Sequence, residues 1–365
     1  MNVSRNIPSL DGIRAVSVLI VILAHSQWFF PFVISNNSAF KAVVGNGQHG
    51  VAFFFVISGY LITTLLLREF DETGKISLLR FYFRRTLRIF PPFYVLLAIL
   101  ALLFAMHVLP GNDGGNFAAV ATYTVALIPL NLSYFTAHTW SLSVEEIFYL
   151  VWPFSFLLLH KRANLLKITL LLIFSMPIIR LLLYVTAPNI RGHEFYMIQG
   201  WLDTMMGGCW LALLKASDGF GRLKAVFSKG WLAALLCLAA LYLAPLLVQY
   251  LPKSQANGFS LLISPSLVMV AAVVSICYLV DNSTTLAGRF VNLPFLRWVG
   301  ALSYSVYLWQ QIFMSERLHL LPWGYVYAAA AAMLSYWLIE KPSYTLRFWI
   351  ESNVRCLRRT PVSQC

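Results

Sequence analysis

Runs of mostly apolar residues, each near the roughly 20 needed to cross a bilayer as a helix, recur along the whole sequence. They fall near 13–33, 50–67, 89–108, 144–160, 168–186, 197–214, 231–250, 260–280, 298–314 and 323–339. A chain patterned this way is expected to be all-α, a polytopic membrane protein of about ten transmembrane helices in one bundle. Composition points the same way. Of the 365 residues, 59% are hydrophobic and only 11% charged, whereas soluble domains carry roughly 25% charged residues. That shortage of charge suits a surface facing lipid. One transmembrane domain is expected over 1–340, followed by a basic cytoplasmic tail at 341–365.

The formal net charge is +13. In a soluble protein such an excess favours nucleic-acid binding. In a membrane protein, basic residues instead hold loops on the cytoplasmic side, and no nucleic-acid partner is expected. An N-in, C-in arrangement is tested by letting 118–143 dip into the bilayer without crossing. Of the 27 Lys and Arg residues, this leaves only Lys41, Arg191, Lys253 and Arg317 outside and Arg180 within a span. A full crossing at 118–134 would turn the basic loops 161–167 and 215–229 outward. The sorting therefore favours a re-entrant segment, whose irregular backbone needs protein or a wet cavity around it. The tail after Lys341 is expected to lie on the inner leaflet as a basic amphipathic segment. The N-terminus, MNVSRNIPSLDGIRA, shows no small-residue cleavage site, so the first span is expected to stay in the membrane. The five cysteines show no metal-binding spacing and are expected to be free thiols, with no metal site.

Several polar groups sit where lipid would penalise them. In the first span, LDGIRAVSVLIVILAHSQWFF, Arg14 and His25 stand at i and i+11. That is within roughly 20° of three helical turns and about 16 Å along the axis. Both share one face, with Arg14 near the cytoplasmic mouth and His25 deeper. A packed interhelical hydrogen bond would explain His25, but intramembrane ionisable groups are also functional candidates, and imidazole moves protons near neutral pH. Ser58-Gly59 in FFFVISGYLIT offers a hydroxyl and a close backbone approach, or ordinary small-residue packing. In RFYFRRTLRIFPPFY, Arg80, Arg84 and Arg88 recur at i, i+4 and i+8 with Arg85 beside them. An anchor needs only charge, so the all-arginine choice tilts towards bidentate phosphate recognition. Pro91-Pro92 is expected to bend the chain there. In HTWSLSVEEIFYLVWP, Trp140 and Ser141 end the dipping segment, and Glu145-Glu146 open the next span. One glutamate is expected to complement the helix dipole; the other points inward, where it could orient His25 as in a catalytic triad. Arg180 and Asp203 are expected to pair with each other.

Together these residues resemble the acyltransferase-3 family of membrane acyltransferases, which O-acylate cell-surface glycans and other sugars. LDGIRA with the Arg-x10-His spacing, FFFVISGYLIT, FRRTLRIFP, WSLSVEEIFYLVWP, WVGALSYSVYLWQQIF and SYWLIEKP match its motifs in order, over nearly the whole chain. The resemblance implies a catalytic set of His25, Arg14 and Glu145. It implies a donor site at Arg85, Arg88, Ser58 and Gly59, and supporting roles for Asp11, Trp140 and Ser141. The donor would be cytoplasmic acyl-CoA, most commonly acetyl-CoA, with no tightly bound cofactor. The acceptor would be a glycan hydroxyl, on surface polysaccharide, lipopolysaccharide, a secreted oligosaccharide or a small glycoside. His25 would act as general base or form a transient acyl-His, with Glu145 supporting the imidazolium. A multi-pass position in the bacterial inner membrane, among its lipids, follows from the family. Some members carry an appended esterase-like domain. This chain is expected to lack one, and to transfer to the acceptor itself or to a separate periplasmic transferase. Ala52, Gln310 and Ile147 depart from the family pattern, and none is expected to touch His25 or Glu145. Buried His, Glu, Arg and Asp would also suit a transporter or flippase, although no repeated halves are visible.

Overall fold

The computed structural model describes residues 7–31, 34, 36–109, 116–159, 161–191, 193, 197–217 and 219–357. Among these every regular element is helical. In chain order the principal helices begin with α1 (Pro8–His25), α2 (Gly47–Thr73), α3 (Leu78–Ala105) and α4 (Thr139–Leu159). They continue with α5 (Arg162–Thr186), α6 (Leu202–Lys215), α7 (Gly230–Val248) and α8 (Lys253–Asp281). The last four are α9 (Pro294–Ala301), α10 (Ser303–Phe313), α11 (Trp323–Ser335) and α12 (Lys341–Leu357). By length and apolarity 7 of the described helices suit a membrane crossing. The three other expected spans fall on shorter or interrupted helices. α6 has 14 residues, most of them buried against other helices. The span expected at 298–314 is split between α9 and α10, and that at 323–339 runs through a π-helical turn into α12.

Local chemistry sets several boundaries differently from the hydropathy pattern. Proline at the first position starts α1, where its missing N–H costs nothing. The helix ends at His25, well before residue 33, and Phe30 is already extended ahead of Pro31. α3 is capped by Ser77, whose hydroxyl accepts from the Arg80 N–H, and continues unbroken through Pro91 and Pro92. All four arginines of the basic run therefore sit on its first three turns. α4 starts at Thr139 and has no acidic residue in its first turn. Glu145 and Glu146 lie in its second turn, so neither serves as the dipole-complementing group expected from the sequence.

Between α3 and α4 the described residues 116–133 hold no helix longer than 5 residues. Side chains from both neighbours satisfy this irregular backbone, as burial demands. Ser143 of α4 accepts from the Ala126 N–H at 3.1 Å and donates to the Tyr123 carbonyl. Tyr94 of α3 donates to the Ala121 carbonyl at 2.9 Å, and the Tyr123 ring stacks on Phe93 with centroids 4.5 Å apart.

The expected Arg180–Asp203 pair is present. Its two guanidinium nitrogens lie 3.0 and 2.9 Å from the two carboxylate oxygens, both side chains fully buried. Arg180 also donates to the carbonyls of Leu261 and Gly200, tying α5 to α6 and α8. The tail does not stand apart from the bundle: α12 docks on α3 through Arg84, which grips Glu351 with bonds of 2.6 and 2.8 Å. Residues 358–365, including the expected free Cys365, lie outside the described region.

Candidate active site

At the inner end of the bundle, as the charge sorting orients it, α1, α2, α3, α4 and α10 enclose a narrow cavity of about 80 Å³. Arg14, Ser58, Arg85, Arg88, Ser141 and Glu145 all line it. Six expected site residues from four helices thus converge. Arg14 is held by Asp11 at 2.9 Å, on the first turn of α1. That turn is locked because Gly300 of α9 lies against it: a Cβ there would sit 1.8 Å from the Asp11 carbonyl oxygen. The guanidinium of Arg85 lies over the Tyr149 ring, 4.7 Å from its centroid. Such contact orients a cation without neutralising it. Among the described residues neither Arg85 nor Arg88 comes within ion-pairing distance of a carboxylate. The other two arginines of the run are diverted: Arg84 to Glu351, Arg80 to Glu69 at 4.0 Å.

Glu145 accepts from the Ser58 hydroxyl at 2.5 Å, and Ser58 in turn accepts from the Tyr149 hydroxyl at 3.1 Å. The carboxylate thus belongs with the arginines and does not orient His25. The expected Glu145–His25 contact is absent because Glu145 sits on a face of α4 turned towards α2.

Gly59 also departs from expectation. It does not line the cavity; a Cβ there would meet the Met205 carbonyl oxygen of α6 at 2.1 Å. Its role is to let α2 and α6 cross closely. Because the obstruction is backbone, a Gly59→Leu variant must push the helices apart, an overpacking cost of roughly 1–3 kcal/mol or more. A lowered thermal midpoint in detergent is expected, and an unchanged midpoint would count against this packing role.

His25 lines a separate, roomier cavity of about 370 Å³, together with Gln48, His138, Trp140, Tyr307 and Gln311. The two cavities share Val51 and Tyr307 as a common wall. Tyr307 is fixed there by its hydroxyl, 2.6 Å from Ser141 Oγ and donating to the His138 carbonyl at 3.0 Å. Trp140 is buried and stacks on Trp201, with centroids 5.8 Å apart, closing one side. The partner of His25 is Gln310, whose Oε1 lies 3.1 Å from Nδ1. One of the departures from the family pattern therefore does touch His25. In the tautomer in which this amide oxygen accepts from Nδ1–H, Nε2 keeps its lone pair. His138 is buried beside this cavity, and neither of its ring nitrogens has a hydrogen-bond partner of normal geometry among the described residues.

Sequence reasoning missed Tyr149, Tyr307 and Gln310 as site residues. The signal for Tyr307 was its place in the YLWQ motif, one turn before Gln310 and Gln311. The signal for Tyr149 was its place in WSLSVEEIFYLVWP, one turn after Glu145.

The fold and site together define a multi-span helical membrane protein with a guanidinium-lined inner cavity backed by a histidine-lined one. The chain belongs to the acyltransferase-3 family: the family profile, described as an acyltransferase domain, matches residues 7–341. It is 26% identical over 329 residues to the peptidoglycan O-acetyltransferase OatA of Listeria monocytogenes, covering 83% of this chain and 48% of that protein. It is 29% identical over 330 residues to the O-acetyltransferase OatA of Staphylococcus aureus, covering 84% of this chain and 50% of that one. The chain thus spans about half the length of either relative. No solved structure matches it significantly.

Proposed function

We propose that this protein is an O-acetyltransferase of the bacterial inner membrane, moving acetyl from cytoplasmic acetyl-CoA to a hydroxyl of a cell-surface glycan. The observation that carries the reading is the pair of cavities meeting at Val51 and Tyr307. The inner one offers Arg85 and Arg88, which have no ion-paired carboxylate among the described residues, suited to an anionic donor; the other offers an imidazole with a free lone pair, suited to a hydroxyl. Peptidoglycan is the acceptor named for the Listeria relative, and cell-wall glycan is therefore the first acceptor to test.

Nε2 of His25 takes the acceptor's hydroxyl proton as that oxygen attacks the thioester carbonyl. The carbon–sulfur bond breaks, and the departing thiolate recovers the proton from the imidazolium. Gln310 holds the ring by accepting from Nδ1–H, a neutral partner where triads use a carboxylate. Glu145 fixes Ser58 beside the arginines and so shapes the donor cavity, without contact to the base. Tyr307 must move, or the acetyl group must pass beside it, for the two substrates to meet. Acetyl passes to the glycan directly or through a separate periplasmic transferase.

The test is incubation of membranes holding the protein with acetyl-labelled CoA. Label is expected on a glycan fraction; label remaining on CoA would favour a transporter. Mass spectrometry of surface glycans with and without the gene then identifies the acceptor.

A further inference from the structure

We propose that a third cavity, at the inner end between α1, α3 and α12, receives the phosphorylated nucleotide end of the donor, with Arg347 and Tyr344 as contact residues. This inference rests on the acetyl-CoA reading and extends it to a helix that reading does not use.

The cavity, about 270 Å³, is lined by Asp11, Arg14, Arg88, Tyr336, Tyr344 and Arg347. It shares Arg14, Leu61 and Arg88 with the narrow arginine cavity. A CoA thioester has two dissimilar ends joined by a flexible arm, and the narrow cavity of about 80 Å³ has no room for a purine nucleotide. The neighbouring space is more than three times larger, and its chemistry matches. Its lining carries three guanidinium groups and one carboxylate, Asp11, which is engaged by Arg14 at 2.9 Å; Arg347 is itself paired with Glu351 at 3.7 Å, and the buried Glu340 lies alongside, bonded to Tyr344. Guanidinium forks favour phosphate oxygens, and Tyr336 and Tyr344 add aromatic rings to the wall against which a base can pack.

The placement of Arg347 is not accidental to the fold. α12 is pinned to α3 by the bidentate Arg84–Glu351 bond, one helical turn beyond Arg347. Arg347 itself lies 3.7 Å from Glu351 and over the Phe348 ring. The same arginine run thus does two jobs: Arg85 and Arg88 face the donor, while Arg84 fastens the helix carrying the remaining contacts. A tail read from sequence as a leaflet-bound segment becomes one wall of the donor's mouth.

The experiment is equilibrium binding of CoA to the full chain in zwitterionic nanodiscs, with adenosine 3′,5′-bisphosphate as competitor. The wild type is expected to bind CoA and to release it to the bisphosphate. Arg347→Ala is expected to weaken CoA about tenfold at an unchanged thermal midpoint, with Arg347→Lys and Tyr344→Ala intermediate. CoA affinity unchanged in an Arg347→Ala/Tyr344→Ala double variant overturns the site, as does a loss matched by a fallen midpoint. An anionic lipid headgroup shares the phosphate chemistry. If adding such lipid to the nanodiscs abolishes the bisphosphate's competition, the cavity is a lipid site and the proposal fails. A wild type that binds no CoA, even without anionic lipid, overturns the donor reading itself.

Discussion

Replacing His25 with alanine is expected to lower acetyl transfer by roughly 10²–10⁴-fold, the range for loss of a general base, while CoA still binds. The separation follows from the geometry: His25 lines one cavity and Arg85 and Arg88 another, with only Val51 and Tyr307 common to both. Gln310→Ala is expected to cost on the order of tenfold, about one hydrogen bond's worth of ring orientation, because Gln310 is the group bonded to Nδ1. Glu145→Gln is expected to act differently, weakening CoA binding through the Ser58 contact. A His25→Ala protein that folds and transfers at the wild-type rate would end the assignment of His25 as the base. A Glu145→Gln defect confined to proton transfer would instead count against its placement with the arginines, since that requires the His25 contact the structure lacks.

Asp203→Asn is expected to be the most destabilising single substitution in the bundle. It leaves a guanidinium with no counter-charge at a fully buried position. Breaking such a pair costs roughly 3–5 kcal/mol, whereas replacing both partners with apolar residues is often neutral or stabilising. The expected measurement is a thermal midpoint several degrees lower in detergent for Asp203→Asn, recovered in an Arg180→Met/Asp203→Leu double variant. Recovery is expected to be incomplete, because Arg180 also bonds the carbonyls of Leu261 and Gly200. Activity should fall with stability, since α6 packs along α2, the helix that carries Ser58. An Asp203→Asn protein as stable as the wild type would show that the pair does not hold these helices.

Much of the site was legible because polar groups inside apolar runs identify themselves. Arg14, Ser58, Arg85, Arg88, Ser141 and Glu145 each interrupt a hydrophobic pattern, and all line one cavity. Gly59 was misread as part of the donor site because a glycine beside a serine looks the same whether it faces a ligand or a neighbouring backbone. The pairing of Glu145 with His25 failed for a boundary reason. With α4 beginning at Thr139, the carboxylate moves from the first turn to the second and faces Ser58. The stretch read as one span at 298–314 is likewise divided into α9 and α10, which meet at Leu302.

The sequence by itself determined that this is an all-helical membrane protein, which end of the bundle carries the positive charge, and which ionisable groups had to be sheltered from lipid. Those properties depend on local runs and on solvation energies that each residue carries with it. Only the tertiary structure decided that Gln310 holds His25, that Glu145 joins the arginines, and that α12 walls a cavity beside Arg14 and Arg88. Such contacts join residues up to 285 positions apart, and at roughly 100° of rotation per residue a small shift in where a helix begins turns a side chain from one partner to another.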